Sequence, residues 1–208
     1  MSRIVLDFGS GNTCRNDKAI IRRMIDELAA VDTHKHEVII KWQLFDVAGD
    51  NEPLNPARFD YAYWYAGEKG YKTTASVFDK ESLEFLVTYK VPFVKIANRR
   101  DLDWLIGEVP RKIPVYVSHG ELPYVQEYRQ INVTRMACIS KYPATKEEYE
   151  ATFYPFQLRA AVSDHTVGLD LWRRYQPDIC EWHYMLPDST GLDAGPFAKA
   201  PGQLKEVL

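Results

Sequence analysis

Lysine, histidine, carboxylate and hydroxyl residues recur at the ends of short apolar runs along this chain. Their types define the chemistry open to it. In Val38-Ile39-Ile40-Lys41-Trp42-Gln43 the series Ile39, Lys41, Gln43 faces one way and Val38, Ile40, Trp42 the other, as alternate side chains of a strand do. The same alternation sets Lys95 opposite Val94 and Ile96, and it pairs Ser163 with His165 and Glu181 with His183. Asp7, Ser76, Asn98, Ser118 and Ser140 fall at comparable ends. An ammonium turned inward needs an anion, because an unpaired buried charge is costly. Ion pairs with Asp7 or Glu181 would satisfy Lys41 and Lys95 without a ligand. A phosphate or carboxylate pocket with serine and asparagine donors would use more of the strand ends. Neutral imidazoles at His165 and His183, on adjacent strands about 5 Å apart, can share a divalent metal. A hydrogen-bonded core and an acid/base pair are the alternatives. His119 is open to a catalytic or a rim position. His34 and His36 lie in the loop before the second strand and read as surface residues at the opposite end.

The elements that must position these groups alternate along the chain. Strands are predicted at Arg3–Phe8, Glu37–Gln43, Lys72–Val77, Pro92–Ala97, Ile113–Ser118, Val133–Ser140, Leu158–Ser163 and Asp178–Tyr184. Between them, Asp17–Ala30 follows Asn16 as N-cap and places Ile20, Ile21, Met24, Ile25 and Leu28 on one face. Asp79–Lys90 reads as a helix, and Thr145 and Glu148 have capping-box spacing. Weaker helical segments are Phe59–Glu68, Asp101–Glu108, Leu122–Gln130 and Val167–Arg174. Strand–helix repetition of this kind predicts a parallel sheet, and eight units close into a compact (β/α)8 TIM barrel. An open doubly wound sheet is the competing architecture. At 208 residues the chain sits near the lower limit of about 200 for such barrels, so several outer helices must be short. Residues 1–208 read as a single domain, with Ala48–Arg58 and Gly191–Pro201 as irregular connections. The Tyr61, Tyr63, Trp64, Tyr65 cluster reads as core or interface.

Composition narrows the function classes. Lys+Arg 26 against Asp+Glu 29 gives a net charge of −3, which argues against nucleic-acid binding. No apolar run approaches the roughly 18–20 residues that span a bilayer, and the opening residues are too short a core for a secretory signal. Cys14, Cys138 and Cys180 are odd in number and far apart, which suits a reducing cytoplasm.

Several of the strand-end segments carry a further signal. Ala161-Val-Ser-Asp-His-Thr-Val-Gly168 is similar to G-Y-S-D-H-T-x-G, and Glu181-Trp-His-Tyr184 to E-K-H-F. Lys95-Ile-Ala-Asn98 is similar to K-I-A-S, and Lys41-Trp-Gln43 to K-F-Q. Ala75-Ser-Val-Phe-Asp79 and Tyr142-Pro-Ala-Thr145 are similar to S-T-P-F-D and Y-P-T-P. In these segments, taken in order from residue 3 to about 201, the chain resembles the N-acetylneuraminate (sialic acid) synthase family. S-D-H-T with E-x-H is the specific part of the match.

The resemblance implies a metal-dependent condensation of phosphoenolpyruvate with a sugar aldehyde, by a C–C bond-forming transferase of carbohydrate biosynthesis that releases phosphate. It implies that His165 and His183 hold a divalent metal, manganese in that family, with magnesium or cobalt as alternatives. Lys41 and Lys95 would bind phosphoenolpyruvate, helped by Ser76, Asn98, Ser118, Ser140 and Ser163. Gln43, Tyr142 and Asp193 would lie near the sugar, and Asp7 and Glu181 would be catalytic. A homodimer is the assembly this reading allows. The departures are Leu6-Asp-Phe-Gly-Ser-Gly-Asn12 in place of A-E-I-G-x-N-H, Asn98 in place of a serine, and Gly191-Leu-Asp-Ala194 in place of G-P-D-H. The match reads as the barrel domain alone, without the family's C-terminal antifreeze-like domain, so the sugar site is expected to be closed by Ala48–Arg58 or the tail Asp188–Pro201. The alternatives are a metal-dependent aldolase or lyase, and a barrel that binds a phosphorylated ligand or protein partner without turnover.

Overall fold

The computed structural model describes residues 1–44, 52–120 and 132–208. Eight parallel strands close on themselves in sequence order: β1 (Arg3–Asp7), β2 (Glu37–Leu44), β3 (Lys72–Val77), β4 (Val94–Ile96), β5 (Val115–His119), β6 (Val133–Cys138), β7 (Ala161–Ser163) and β8 (Ile179–His183). This is the (β/α)8 barrel expected from the alternation, and the open sheet is excluded by the β1–β8 pairing.

The period-2 pattern sorts each strand between two environments. Ile4, Leu6, Val38, Ile40, Trp42, Val94 and Ile96 pack outward in the large core under the helices. The inward series begins with a separate apolar plug of Val5, Ile39, Phe93, Tyr116, Met136 and Ala161. One step further along β1, β2, β5 and β6 the inward positions are Asp7, Lys41, Ser118 and Cys138. The barrel is therefore dry at its base and polar at its carboxyl mouth, the face on which such barrels build their sites.

The helices are α1 (Gly11–Cys14), α2 (Lys18–Val31), α3 (Pro56–Glu68), α4 (Lys80–Leu86), α5 (Trp104–Glu108), α6 (Lys146–Thr152), α7 (Pro155–Ala160), α8 (Asp170–Tyr175) and α9 (Pro201–Leu204). The N-cap of α2 is Asp17, not Asn16: the Asp17 carboxylate accepts from the Ala19 N–H at 2.6 Å. Asn16, in the left-handed region, instead ties down Pro53 and Asn55. Thr145 and Glu148 form the expected capping box. The strand predicted from Leu158 begins only at Ala161, because Pro155 starts a helix that runs to Ala160 and buries Leu158. Asp101–Glu108 divides into a short 3-10 turn and α5. Val167–Arg174 becomes helical only from Asp170, after a turn through Gly168. The predicted helix Leu122–Gln130 lies outside the described residues. Among the described residues no helix is long and apolar enough to cross a membrane.

Candidate active site

The strand-end residues singled out by alternation converge on one cavity of about 410 Å³ at the carboxyl mouth. Asp7, Lys41, Gln43, Ser76, Lys95, Asn98, Ser118, Ser140, Tyr142, Ser163, His165, Glu181, His183 and Asp193 all line it. His119 lies against Phe153. His34 and His36 border a smaller cavity with Asp32 and Tyr71, next to the start of β2 at the other end of the barrel.

The two lysines are almost fully enclosed, at 2 % exposure each, and each is set against carboxylate and hydroxyl partners. The Lys41 ammonium lies 2.7 Å from Asp7 and donates to Ser76 at 2.9 Å, with Glu181 at 3.8 Å. Burial disfavours its charge, but Asp7 and Glu181 outweigh that and hold its pKa above the ordinary lysine value. Lys95 donates to Ser118 at 2.7 Å and has Glu181 at 3.5 Å. Burial, with repulsion from Lys41, leaves its pKa below the ordinary value despite Glu181. Glu181 stands between both ammoniums and accepts from Ser163 at 3.0 Å. Burial raises its pKa, but the two lysines prevail and lower it. Its second oxygen is buried with no hydrogen bond.

On the opposite side, Gln43 donates to Asp7 and to Asp193, each at 2.9 Å, and so clasps two carboxylates. His183 Nδ1 lies 3.1 Å from Asp193 and 3.7 Å from Asp7, yet it makes no aligned hydrogen bond. Burial disfavours its cationic form, and the two carboxylates overcome this and raise its pKa. His165 differs. Its Nδ1 must donate to the Ile139 carbonyl at 2.7 Å, which leaves Nε2, 3.4 Å from the Ser163 hydroxyl, with a lone pair that can accept or ligate. Burial and the neighbouring His183 depress its pKa to about 3, so it stays neutral.

Asp193 reaches this group from an irregular segment after β8, not from a strand. Gly9, in the left-handed region at φ +76°, permits the approach: a Cβ there would meet Asp193 Cβ at 2.9 Å and Thr13 Oγ1 at 2.3 Å. Further along the segment, Phe197 packs edge-on against His183 at 5.1 Å and, tilted, against Tyr142 at 5.0 Å. Lys199 is buried and donates to the carbonyls of Thr166 and Phe197 at 2.6 and 2.9 Å. The tail Asp188–Pro201 thus contributes Leu192 and Asp193 to the cavity wall. Of Ala48–Arg58, residues 48–51 lie outside the described residues. Glu52, Pro53, Leu54, Asn55 and Pro56 line a separate cavity with Asn16 and Phe85.

These donors fit a divalent cation. Ligand atoms of Asp7, His183 and Asp193 lie within 4.8 Å of one another, around a buried imidazole nitrogen without a hydrogen bond. The His165 ring lies 5.3 Å from that of His183, centre to centre. Sequence reading paired the histidines as the metal ligands and set the two aspartates apart from them. The structure adds Asp7 and Asp193 beside His183. It also brings in Cys138, Arg99 and Leu192. Cys138 was detectable, since Met136, Cys138 and Ser140 continue one inward alternation. Its thiol pKa is pushed up to about 11 by burial, so it is a neutral wall residue.

A comparison with protein-family models matches residues 27–173 to the NeuB family. No curated protein matches the chain. Among solved structures, the N-acetylneuraminic acid (sialic acid) synthetase of Leptospira borgpetersenii serovar Hardjo-bovis, crystallised with citrate, is similar at 19 % identity and TM-score 0.71, covering 98 % of this chain and 80 % of that one. The spore coat polysaccharide biosynthesis protein spsE of Bacillus subtilis is similar at 21 % identity and TM-score 0.74, over 99 % of this chain and 65 % of that one. A truncated 3-deoxy-D-arabino-heptulosonate 7-phosphate synthase from Thermotoga maritima aligns at 11 % identity and TM-score 0.67, over 99 % and 83 %. At these identities the likenesses establish a shared barrel.

Proposed function

The chain belongs to the NeuB family, and from that premise we propose that it condenses phosphoenolpyruvate with an aldose, forming a 2-keto-3-deoxy sugar acid and releasing phosphate. The observation that carries this reading is the meeting, in one cavity, of an ammonium-and-hydroxyl wall with a carboxylate-and-imidazole wall. The first suits a multiply charged anion, and the second suits a cation and the polar acceptor beside it. The solved relatives named for sialic acid and heptulosonate phosphate synthesis are consistent with it.

In this reading Lys41 and Lys95 hold the anionic groups of phosphoenolpyruvate, and Ser76, Asn98, Ser118, Ser140 and Ser163 complete its hydrogen bonds. Gln43, Tyr142 and Asp193 orient the sugar aldehyde. Asp7, His183 and Asp193, with His165 beside them, would hold a divalent metal, manganese by family resemblance, and when bound it supplies a Lewis acid for the aldehyde oxygen. The new bond joins C3 of the enol to the aldehyde carbon, whose oxygen takes up a proton; water adds to the cation left at C2; and the bond from C2 to the phosphate oxygen breaks as the new hydroxyl there gives up its proton and becomes the keto group. Asp7 and Glu181 are the carboxylates that face this cation, and Glu181, whose second oxygen has no hydrogen bond, accepts the proton of the attacking water. Bound anion draws Lys41 and Lys95 away from Glu181, which raises its basicity when the proton must be taken.

The test is phosphate release from phosphoenolpyruvate with a panel of aldoses, with manganese and with chelator. Release that requires both substrates and is lost with chelator is expected. Sugar-acid cleavage without phosphate release would make it an aldolase. Phosphoenolpyruvate binding without turnover on any aldose would make it a binding barrel.

A further inference from the structure

Arg99 lines the same cavity and has no part in the reading above. It follows Asn98 at the exit of β4 and pairs with Asp101, two residues along the chain. Both side chains of that pair are more than half exposed, at 54 % and 60 %, and an exposed pair is weakly held. The lysines deeper in the cavity are different, since each is buried against Asp7 or Glu181. Asp7, Glu181 and Asp193 are all buried in the cavity wall and already face the two lysines and the cation group, so an incoming phosphoryl group, which carries about two negative charges at neutral pH, gains from a further cation at the rim.

We propose that Arg99 leaves Asp101 and closes on the phosphoryl group of the bound substrate, making it a specificity residue for a phosphorylated donor. The inference rests on the proposed function and adds a residue to it. The neighbouring donors favour the placement. Asn98 lies beside Arg99 and donates to Ser140 at 2.8 Å, and Lys95 and Ser118 lie deeper on the same wall. Gly120 leaves room for this group, because a Cβ there would come within 2.8 Å of the Asn98 amide nitrogen. The planar guanidinium can engage two phosphoryl oxygens through two parallel hydrogen bonds, a fixed geometry that a third lysine would not supply.

Calorimetric titration of inorganic phosphate, phosphoenolpyruvate and pyruvate into the wild-type chain, Arg99→Gln and Arg99→Lys tests it. Arg99 is half exposed, so its replacement leaves the barrel core intact. Arg99→Gln should weaken phosphate and phosphoenolpyruvate by about ten- to a hundredfold, the scale of a charged hydrogen bond, and leave pyruvate unchanged. Arg99→Lys should recover part of the loss. Equal weakening of pyruvate would assign Arg99 to the carboxylate and overturn the phosphoryl inference. Unchanged phosphate affinity in Arg99→Gln overturns the inference alone. A wild-type chain that binds neither phosphate nor phosphoenolpyruvate overturns the proposed function and this inference together.

Discussion

The two walls of the barrel mouth are built by different means. The wall from β3 to β6 presents Ser76, Lys95, Asn98, Ser118 and Ser140, mostly strand residues or their immediate successors, in positions that strand register dictates. The wall of β8, β1 and β2 takes Asp7, Gln43 and His183 from strands but receives Asp193 from an irregular segment. A hydrogen-bonding wall for an anion can thus be set by sheet geometry alone. The three-donor group proposed to hold a cation takes a side chain from outside the sheet, with a left-handed Gly9 to admit it and a Gln43 clasp to hold it. Lys41 stands at the seam, hydrogen-bonded to Asp7 on one side and Ser76 on the other, and Glu181 lies between it and Lys95.

Breaking the seam should have the largest effect. Glu181→Gln leaves Lys41 and Lys95 without their shared carboxylate, and stability should fall by about 3–5 kcal/mol, as for other broken buried pairs. Urea denaturation measures this, and added phosphate should restore part of the loss. Lys95→Met acts on the anion wall alone: phosphoenolpyruvate binding should weaken by roughly 1.5–3 kcal/mol in a titration, with manganese binding unchanged. Asp193→Asn should do the reverse. Manganese affinity should drop at least about tenfold, a loss already typical of residues one step removed from a metal, while phosphate affinity holds. If either variant impaired both ligands equally, the division into two walls would be wrong. Gln43→Leu should be mildest in binding, weakening manganese by less than Asp193→Asn does and phosphate less still, while the lost hydrogen bonds to two carboxylates lower stability by roughly 1.5–3 kcal/mol.

The strand pattern made the barrel and the inward direction of Lys41, Lys95, Glu181 and His183 legible, because period-2 alternation survives in strands as short as β4 and β7. Strand boundaries were less clear: Leu158-Arg159-Ala160 is apolar enough for a strand, but Pro155 makes it the end of a helix. The pairing of Lys41 and Lys95 with Asp7 and Glu181 was open to the sequence as one of two readings, but the grouping of Asp7, His183 and Asp193 was not legible. Nothing local to Asp193 shows that it meets Asp7 through Gln43, since that contact spans 150 residues. Arg99 was missed for the opposite reason. An arginine after a strand, followed by an aspartate two residues on, reads as an ordinary surface pair.

Glu181 has a consequence for which ions the empty barrel can admit. Its carboxylate already stands where both ammoniums are attracted, so a visiting anion must compete with a resident one. A chloride or acetate brings a single charge and gains little over the arrangement it disturbs. A phosphorylated acid brings several charges and enough oxygen atoms to engage both lysines and the hydroxyls around them. On the proposed reading, the resident carboxylate thus sets a threshold of charge: a monovalent anion gains too little to displace it from the two lysines, and a phosphorylated acid gains enough.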